Sequence, residues 1–278
     1  MPDITRWQKF KRILDKKNKI TEWINKNGYP FELRTAKSFL KADFTVAQSI
    51  FYEDPITKKF RETDIIAHTT KLINNVWVNL TFVVECKSSL DKPWVSFNND
   101  EIENFSGRNL PILTTRNGRK LMKEISINPS FKSDLIYPNK QKMGYSLIRA
   151  FANNKDMAYT ATQNVLSAVE YLVEKSNESN KKFMNIYFPL IAVEGELFEA
   201  RISTNDKIEL DEVDELKIST IKSFAEQNTT FLTIFSSKNM DQFTGNLKLK
   251  CEEFYIKYEE ELKKVTKENP TNSRNFVI

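Results

Sequence analysis

Asn75-Val76-Trp77-Val78-Asn79-Leu80-Thr81-Phe82-Val83-Val84 runs directly into Glu85-Cys86-Lys87. β-Branched and aromatic residues fill the first ten positions almost without a break, which predicts a strand covered on both faces. Side chains alternate along a strand, so Glu85 and Lys87 are expected on one side and Cys86 on the other. A carboxylate and an ammonium ending an apolar strand are costly to bury unless they are paired or bound to a metal. Something must compensate them.

The nearest partner is Asp64, in Phe60-Arg61-Glu62-Thr63-Asp64-Ile65-Ile66-Ala67. Turn-forming residues at 53–58 precede this run, so 44–52 and 60–67 read as an antiparallel hairpin. Phe60, Glu62, Asp64 and Ile66 share a face of the second strand. Glu62 is then a support for Asp64, or else a surface ion-pair partner of Arg61 or Lys59. Adjacent strands bring Asp64 and Glu85 into one small volume with Lys87. Two carboxylates that close repel, and a divalent cation relieves the repulsion. Hard oxygen donors without a Cys/His cluster select Mg²⁺, with Mn²⁺ as a substitute, over zinc.

Asp64, a gap of about twenty residues, then Glu85-Cys86-Lys87 resembles the signature of the PD-(D/E)xK nucleases, restriction-endonuclease-like and broadly Mrr-type. A further acid on the first helix often accompanies it, and Glu32 in Tyr29-Pro-Phe-Glu-Leu-Arg occupies that place. The proline that names the motif is Thr63 here. The resemblance spans roughly residues 25–90, and more loosely the elements after 140. It implies an α/β fold with a restriction-endonuclease-like core, a central mixed sheet flanked by helices, and extra N- and C-terminal helices. It also implies Asp64, Glu85 and the backbone carbonyl of Cys86 as Mg²⁺ ligands, with Glu32 placing a second metal or the water. Lys87, its pKa depressed by the metal, either orients the attacking water or stabilises the pentavalent phosphorus.

Bulk composition is consistent with a soluble globular chain: 278 residues, 40% hydrophobic, 12% aromatic and a net charge of +5. Charge is uneven along it. Residues 1–41 hold eleven Lys/Arg against four Asp/Glu, whereas 194–226 hold ten Asp/Glu against four Lys/Arg. The basic end suits a polyanion, or is simply a solvated lysine-rich helix. Cys86 and Cys251 are far apart and lack metal-ligand spacing, so free thiols in a reducing cytoplasm are expected. No apolar run approaches a membrane span, and Met1-Pro-Asp-Ile-Thr lacks the regions of a signal peptide.

In chain order, the sequence reads as one domain over 1–278. A basic helical region at 1–27 carries Trp7, Leu14, Ile20 and Trp23 at helical spacing. Asn27-Gly28 ends it, and Pro30 opens a helix over about 30–41. There Glu32 borders the buried face, either to meet the helix dipole or to serve the site. His68, just past Asp64, reads as a turn residue, with a catalytic base as the alternative. Ser88 or Ser89 is a candidate to steady Lys87, while Trp94 and Phe97 read as core anchors or else as rings that stack on a base. The core spans 28–235 and includes an irregular insertion at about 98–140, where Arg108, Arg116, Arg119 and Lys120 are candidate phosphate contacts. A helical pattern covers 141–176, broken near 153–156, with Gln163 as one polar residue that either faces the site or, as is usual for a glutamine, the solvent. Strands follow at 184–193, 197–202 and 229–235, around an exposed acidic connection at 205–217. A helix at 240–266 and an unstructured tail at 267–278 close the chain.

Two functions follow from these residues. One is a metal-dependent endonuclease cutting phosphodiester bonds, most naturally in DNA, as a homodimer or with a partner protein. Defence against foreign DNA is the family habit. The other is an inactive module of the same fold that binds nucleic acid or a partner protein.

Overall fold

The computed structural model describes residues 4–98, 113–127, 143–152, 157–179, 183–203, 205–221 and 229–267. Helices α1 (Ile4–Lys26) and α2 (Tyr29–Lys41) lead into strands β1 (Thr45–Glu53), β2 (Phe60–Ile73), β3 (Val76–Ser88), β4 (Trp94–Phe97) and β5 (Leu113–Thr114). Then come α3 (Arg116–Ile127), β6 (Ser146–Arg149), α4 (Met157–Ser179), β7 (Phe183–Glu194), β8 (Leu197–Ile202), β9 (Ile208–Glu212), β10 (Glu215–Ile221) and β11 (Thr229–Ser236). Helices α5 (Met240–Lys257) and α6 (Glu259–Lys267) complete the described chain.

The main sheet is mixed, with path order β1-β2-β3-β7-β11-β10 and β5 pairing with β7. β1, β2 and β3 form an antiparallel meander, and β7 lies parallel to β3. Asn74 and Asn75, at φ 49° and 63°, make the tight turn between β2 and β3. Two consecutive left-handed residues match the twist of a two-residue hairpin, and asparagine tolerates them best after glycine. This architecture is α/β, a mixed central sheet flanked by helices.

Alternation along β3 divides the core in two. Val78, Leu80, Phe82, Val84 and Cys86 pack with α2, α3, α5 and α6, whereas Val83 packs with α4 and Trp94 on the other face. Phe82 stacks on Phe188 of β7 and meets Phe44 edge-on, which fixes the register of α2's side of the sheet. The second face is closed by α4, whose Ala158, Ala161, Val165, Ala168 and Val169 recur at helical spacing and are buried. A smaller sheet of order β6-β4-β8-β9 stands beside it.

Gly28 takes φ 81° between α1 and α2, and Pro30 sits in the first turn of α2, as the punctuation implied. Gly195 follows the end of β7 at φ 143°, and a Cβ there would stand 2.4 Å from the Ser89 carbonyl oxygen. That close approach lets the end of β3 and the end of β7 stay joined.

Four expectations need correction. Residues 146–149 are strand β6, paired with β4, because the apolar Leu147 finds a neighbouring edge there instead of continuing a helix. The insertion contains β5 and the amphipathic α3, which buries Leu121, Met122 and Ile125; Arg108 lies outside the described residues. The acidic connection is largely β9 and β10. The helix at 240–266 is two helices, divided at Tyr258. The tail beyond residue 267 lies outside the described residues.

Candidate active site

The site forms where β2 and β3 part. Their ladder runs as far as Ile65 opposite Val84, and one further step sets Asp64 opposite Glu85. There the Asp64 carboxylate replaces a backbone acceptor: the Cys86 N–H donates to its Oδ2 at 2.6 Å. β2 itself goes on pairing with β1 as far as Phe60. On β1 the residue facing Asp64 in this register is Ser49, whose φ of 57° is unusual for a non-glycine residue. Such strain costs about 1–3 kcal/mol and tends to accumulate at functional sites.

Alternation places Glu85 and Lys87 as the sequence implied. Both face α4, while the Cys86 thiol is buried against α2's side and pushed up by that burial and by Asp64. Glu85 is only 3% exposed. Its Oε1 accepts two hydrogen bonds, from Lys87 Nζ at 2.6 Å and Asn164 Nδ2 at 3.0 Å. Its Oε2 is buried and has no hydrogen-bond partner among the described residues. A buried, unpartnered carboxylate oxygen is costly, and a cation is the natural way to satisfy it.

Electrostatics point the same way. Burial, reinforced by the Glu85 charge, pushes Asp64 up to about 7, against the Cys86 N–H and Lys87. Glu32 is also raised, by burial first, partly offset by Lys87 and added to by Glu62 and Glu85. Burial disfavours the Lys87 charge, but Glu85 and then Asp64 outweigh that and raise its pKa. The Glu85 carboxylate pairs with the ammonium, and the Asp64 charge adds to its hold.

Among the described residues, no three His, Cys, Asp or Glu side chains come close enough together to hold one metal ion. Glu32 is near enough to feel Lys87 and both acids, but it does not complete a three-carboxylate cluster with them. Mg²⁺ does not require one: it is commonly held by one or two carboxylates, with waters and substrate phosphate completing its shell. Asp64 and the free oxygen of Glu85 fit that demand, with the Cys86 carbonyl as the further oxygen.

Behind Glu85 runs a chain of polar contacts that the sequence did not reveal. Arg61 Nη1 donates to Asn164 Oδ1 at 2.9 Å, which obliges the Asn164 amide nitrogen to face Glu85. Arg61 Nε lies 3.1 Å from Asp54 Oδ2, and Asp54 Oδ1 accepts the N–H groups of Ile56 and Thr57. Burial raises the Asp54 carboxyl, but those N–H groups and Arg61 outweigh it and lower it overall. Tyr52 donates to the Asn164 carbonyl at 3.1 Å. Asn164→Leu is therefore expected to leave Glu85 with one donor on Oε1, and to lose about 1–3 kcal/mol of stability. Chemical denaturation checks it; unchanged stability would mean that the amide is not a required partner.

Other candidates fall away from the centre. Gln163 is exposed to solvent, and its neighbour Asn164 is the residue that reaches the site. Ser88 donates to Glu194 Oε2 at 2.6 Å and Ser89 to the Lys92 carbonyl, so neither steadies Lys87. Glu194 also pairs with Arg34, a second ionic cluster at the same end of the sheet. Glu62 is exposed, and Arg61 pairs with Asp54 instead. His68 lies inside β2, opposite Thr81, about 13 Å along the strand from Asp64. Its pKa is lowered by burial. Arg116, Arg119 and Lys120 sit on α3, whose start is tied to Asn185. Asn185 pairs with Asn79, six residues before Glu85 and so about 20 Å from it. Trp94 is fully buried, an anchor as expected, and Phe97 packs against Tyr145.

No family model, curated protein or solved structure matches the chain. Among the described residues, no helix is long and apolar enough to cross a membrane.

Proposed function

We propose that the chain is a metal-dependent endonuclease that hydrolyses phosphodiester bonds, most naturally in DNA, on a restriction-endonuclease-like core. The order α2, β1–β2–β3 meander, α4 and parallel β7 supports the fold part of this reading. The observation that carries the chemistry is the Glu85 carboxylate, buried with one oxygen bonded and the other open, opposite an Asp64 whose pKa is raised by burial and then by the Glu85 charge.

When bound between them, Mg²⁺ supplies a Lewis acid for a phosphate oxygen and a water of lowered pKa. The chain's own residues do the rest. Asp64, anchored by the Cys86 N–H, and Glu85, anchored by Lys87 and Asn164, present fixed oxygens that need no rearrangement. Lys87 carries its ammonium where negative charge builds on a phosphate, or holds a water through one of its two remaining donors. Glu32 stands by as an acceptor whose basicity is raised by burial, which suits a group that takes up a proton.

A panel of labelled double-stranded, single-stranded and branched DNA and RNA, incubated with Mg²⁺, Mn²⁺ or Ca²⁺, tests this directly. Cleavage of at least one DNA form with Mg²⁺ or Mn²⁺ is expected, with Ca²⁺ ineffective. An absence of cleavage across the panel would remove the enzymatic reading.

One observation favours the second reading, an inactive module that binds nucleic acid or a partner protein. Lys87 already compensates Glu85, and the Cys86 N–H already serves Asp64, so the cluster has internal partners without an ion. Under that reading a duplex is bound but never cut, and Mn²⁺ adds nothing to its affinity.

A further inference from the structure

Helix α1 leaves a long apolar stripe uncovered. Trp7, Phe10, Ile13, Leu14, Ile20 and Trp23 are each 47–66% exposed. They recur three, four or seven residues apart, as one side of a helix demands. The remainder of α1 is basic, with eight Lys/Arg against Asp15 and Glu22. At 23 residues it is about 35 Å long. Its C-terminal end rests on α2, where the rings of Trp23 and Tyr29 lie 5.7 Å apart.

A second uncovered apolar strip lies on the β8–β9 ribbon. Ile202, Ile208 and Leu210 are 66%, 79% and 54% exposed. Ile202 and Ile208 are opposite each other in register, and Leu210 follows two residues on, so all three share a face. β9 is the edge of the smaller sheet and exposed along its whole length. The surrounding charge is opposite to that of α1: residues 205–217 hold six Asp/Glu against Lys207 and Lys217.

We infer that α1 of one copy docks on the β8–β9 ribbon of a second copy of this chain, and that the exchange is reciprocal about a two-fold axis. Each strip supplies what the other lacks: apolar surface to cover, and a rim of the opposite sign. A reciprocal arrangement closes after two copies, whereas a one-way contact would propagate into a fibre. Nucleic acid would neutralise the lysines but leave the aromatic and aliphatic stripe unexplained. Two α1 helices side by side would bury the stripe while setting two strongly basic surfaces against each other.

Sedimentation of the full chain, at about 50 mM and about 500 mM salt, reads this pairing. Twice the 32.5 kDa monomer mass is expected at low salt, weakening as salt rises. Trp7→Ala with Phe10→Ala should weaken dimerisation by at least about tenfold, and so should Ile208→Ser with Leu210→Ser. Circular dichroism checks that these surface variants remain folded. Lys9→Glu with Lys17→Glu should dissociate the dimer, as should Asp206→Lys with Asp211→Lys, which leaves Arg201 its contact with Glu209. Joining both charge swaps in one chain should restore the dimer. A wild-type chain that sediments as a monomer at low salt overturns the proposal. So does association indifferent to the β9 substitutions, or capture of α1 by duplex DNA or anionic phosphatidylserine vesicles with the mass otherwise monomeric.

Discussion

Lys87→Ala is expected to lower Mg²⁺-dependent nicking of plasmid DNA by about a thousandfold or more, which is the range for loss of a positioned charge or proton donor at a developing anion. Nothing else among the described residues replaces that ammonium at Glu85: Asn164 is neutral, and Arg61 is spent on Asp54 and Asn164. The fold should persist, because Glu85 keeps its bond from Asn164 and the strand's apolar residues are untouched. Circular dichroism and gel filtration establish that, and a plasmid nicking assay gives the rate. A folded Lys87→Ala variant cutting at the wild-type rate would exclude Lys87 from the chemistry.

Asp64→Asn should have two effects of opposite sign: loss of cleavage and a gain in stability above neutral pH. The folded Asp64 carboxyl is pushed up to about 7 by burial and then by Glu85, against a value of 3.8 for an unperturbed carboxyl. Between those values the folded chain holds more protons than the unfolded one. Stability therefore falls as pH rises through that window, and what is present at about pH 4 is lost by about pH 7. In a chelator, the wild-type chain should lose on the order of 2 kcal/mol between about pH 5 and about pH 8. The substituted amide cannot ionise but still offers an oxygen to the Cys86 N–H, so the variant should show a flatter profile and melt several degrees higher at pH 8. Mg²⁺ added at pH 8 should stabilise the wild type and not the variant. Identical pH profiles for the two chains would show that burial and the Glu85 charge do not raise the Asp64 carboxyl.

Much of the meander was legible because its signals are local. The nearly continuous β-branched and aromatic run over 76–84 specifies a strand buried on both faces, and period-2 alternation then places Glu85 and Lys87 together and Cys86 apart. Asp64 follows from the turn at 53–58 and the length of the strand after it. What stayed hidden depends on contacts distant in sequence. Asn164 is 79 residues from Glu85. Its only local sign is that it borders the buried stripe of Ala161, Val165 and Ala168, whereas Gln163 lies opposite that stripe; a helical-wheel reading favours Asn164 over Gln163. Arg61 and Asp54 look like ordinary turn charges until the hairpin folds Arg61 back over its own turn. β6 was read as helix because Leu147-Ile148 is too short a run to show a period, and only the edge of β4 decides it. The positive φ at Ser49 has no sequence signature at all.

The central claim is that Asp64 and Glu85 share one divalent cation, and calorimetric titration with Mn²⁺ measures it with no substrate present. One ion per chain should bind with a dissociation constant on the order of millimolar or tighter, and Asp64→Asn and Glu85→Gln should each weaken it at least about tenfold. A wild-type chain that takes up no Mn²⁺ at about 10 mM, or two variants that bind it as well as the wild type does, would contradict the account.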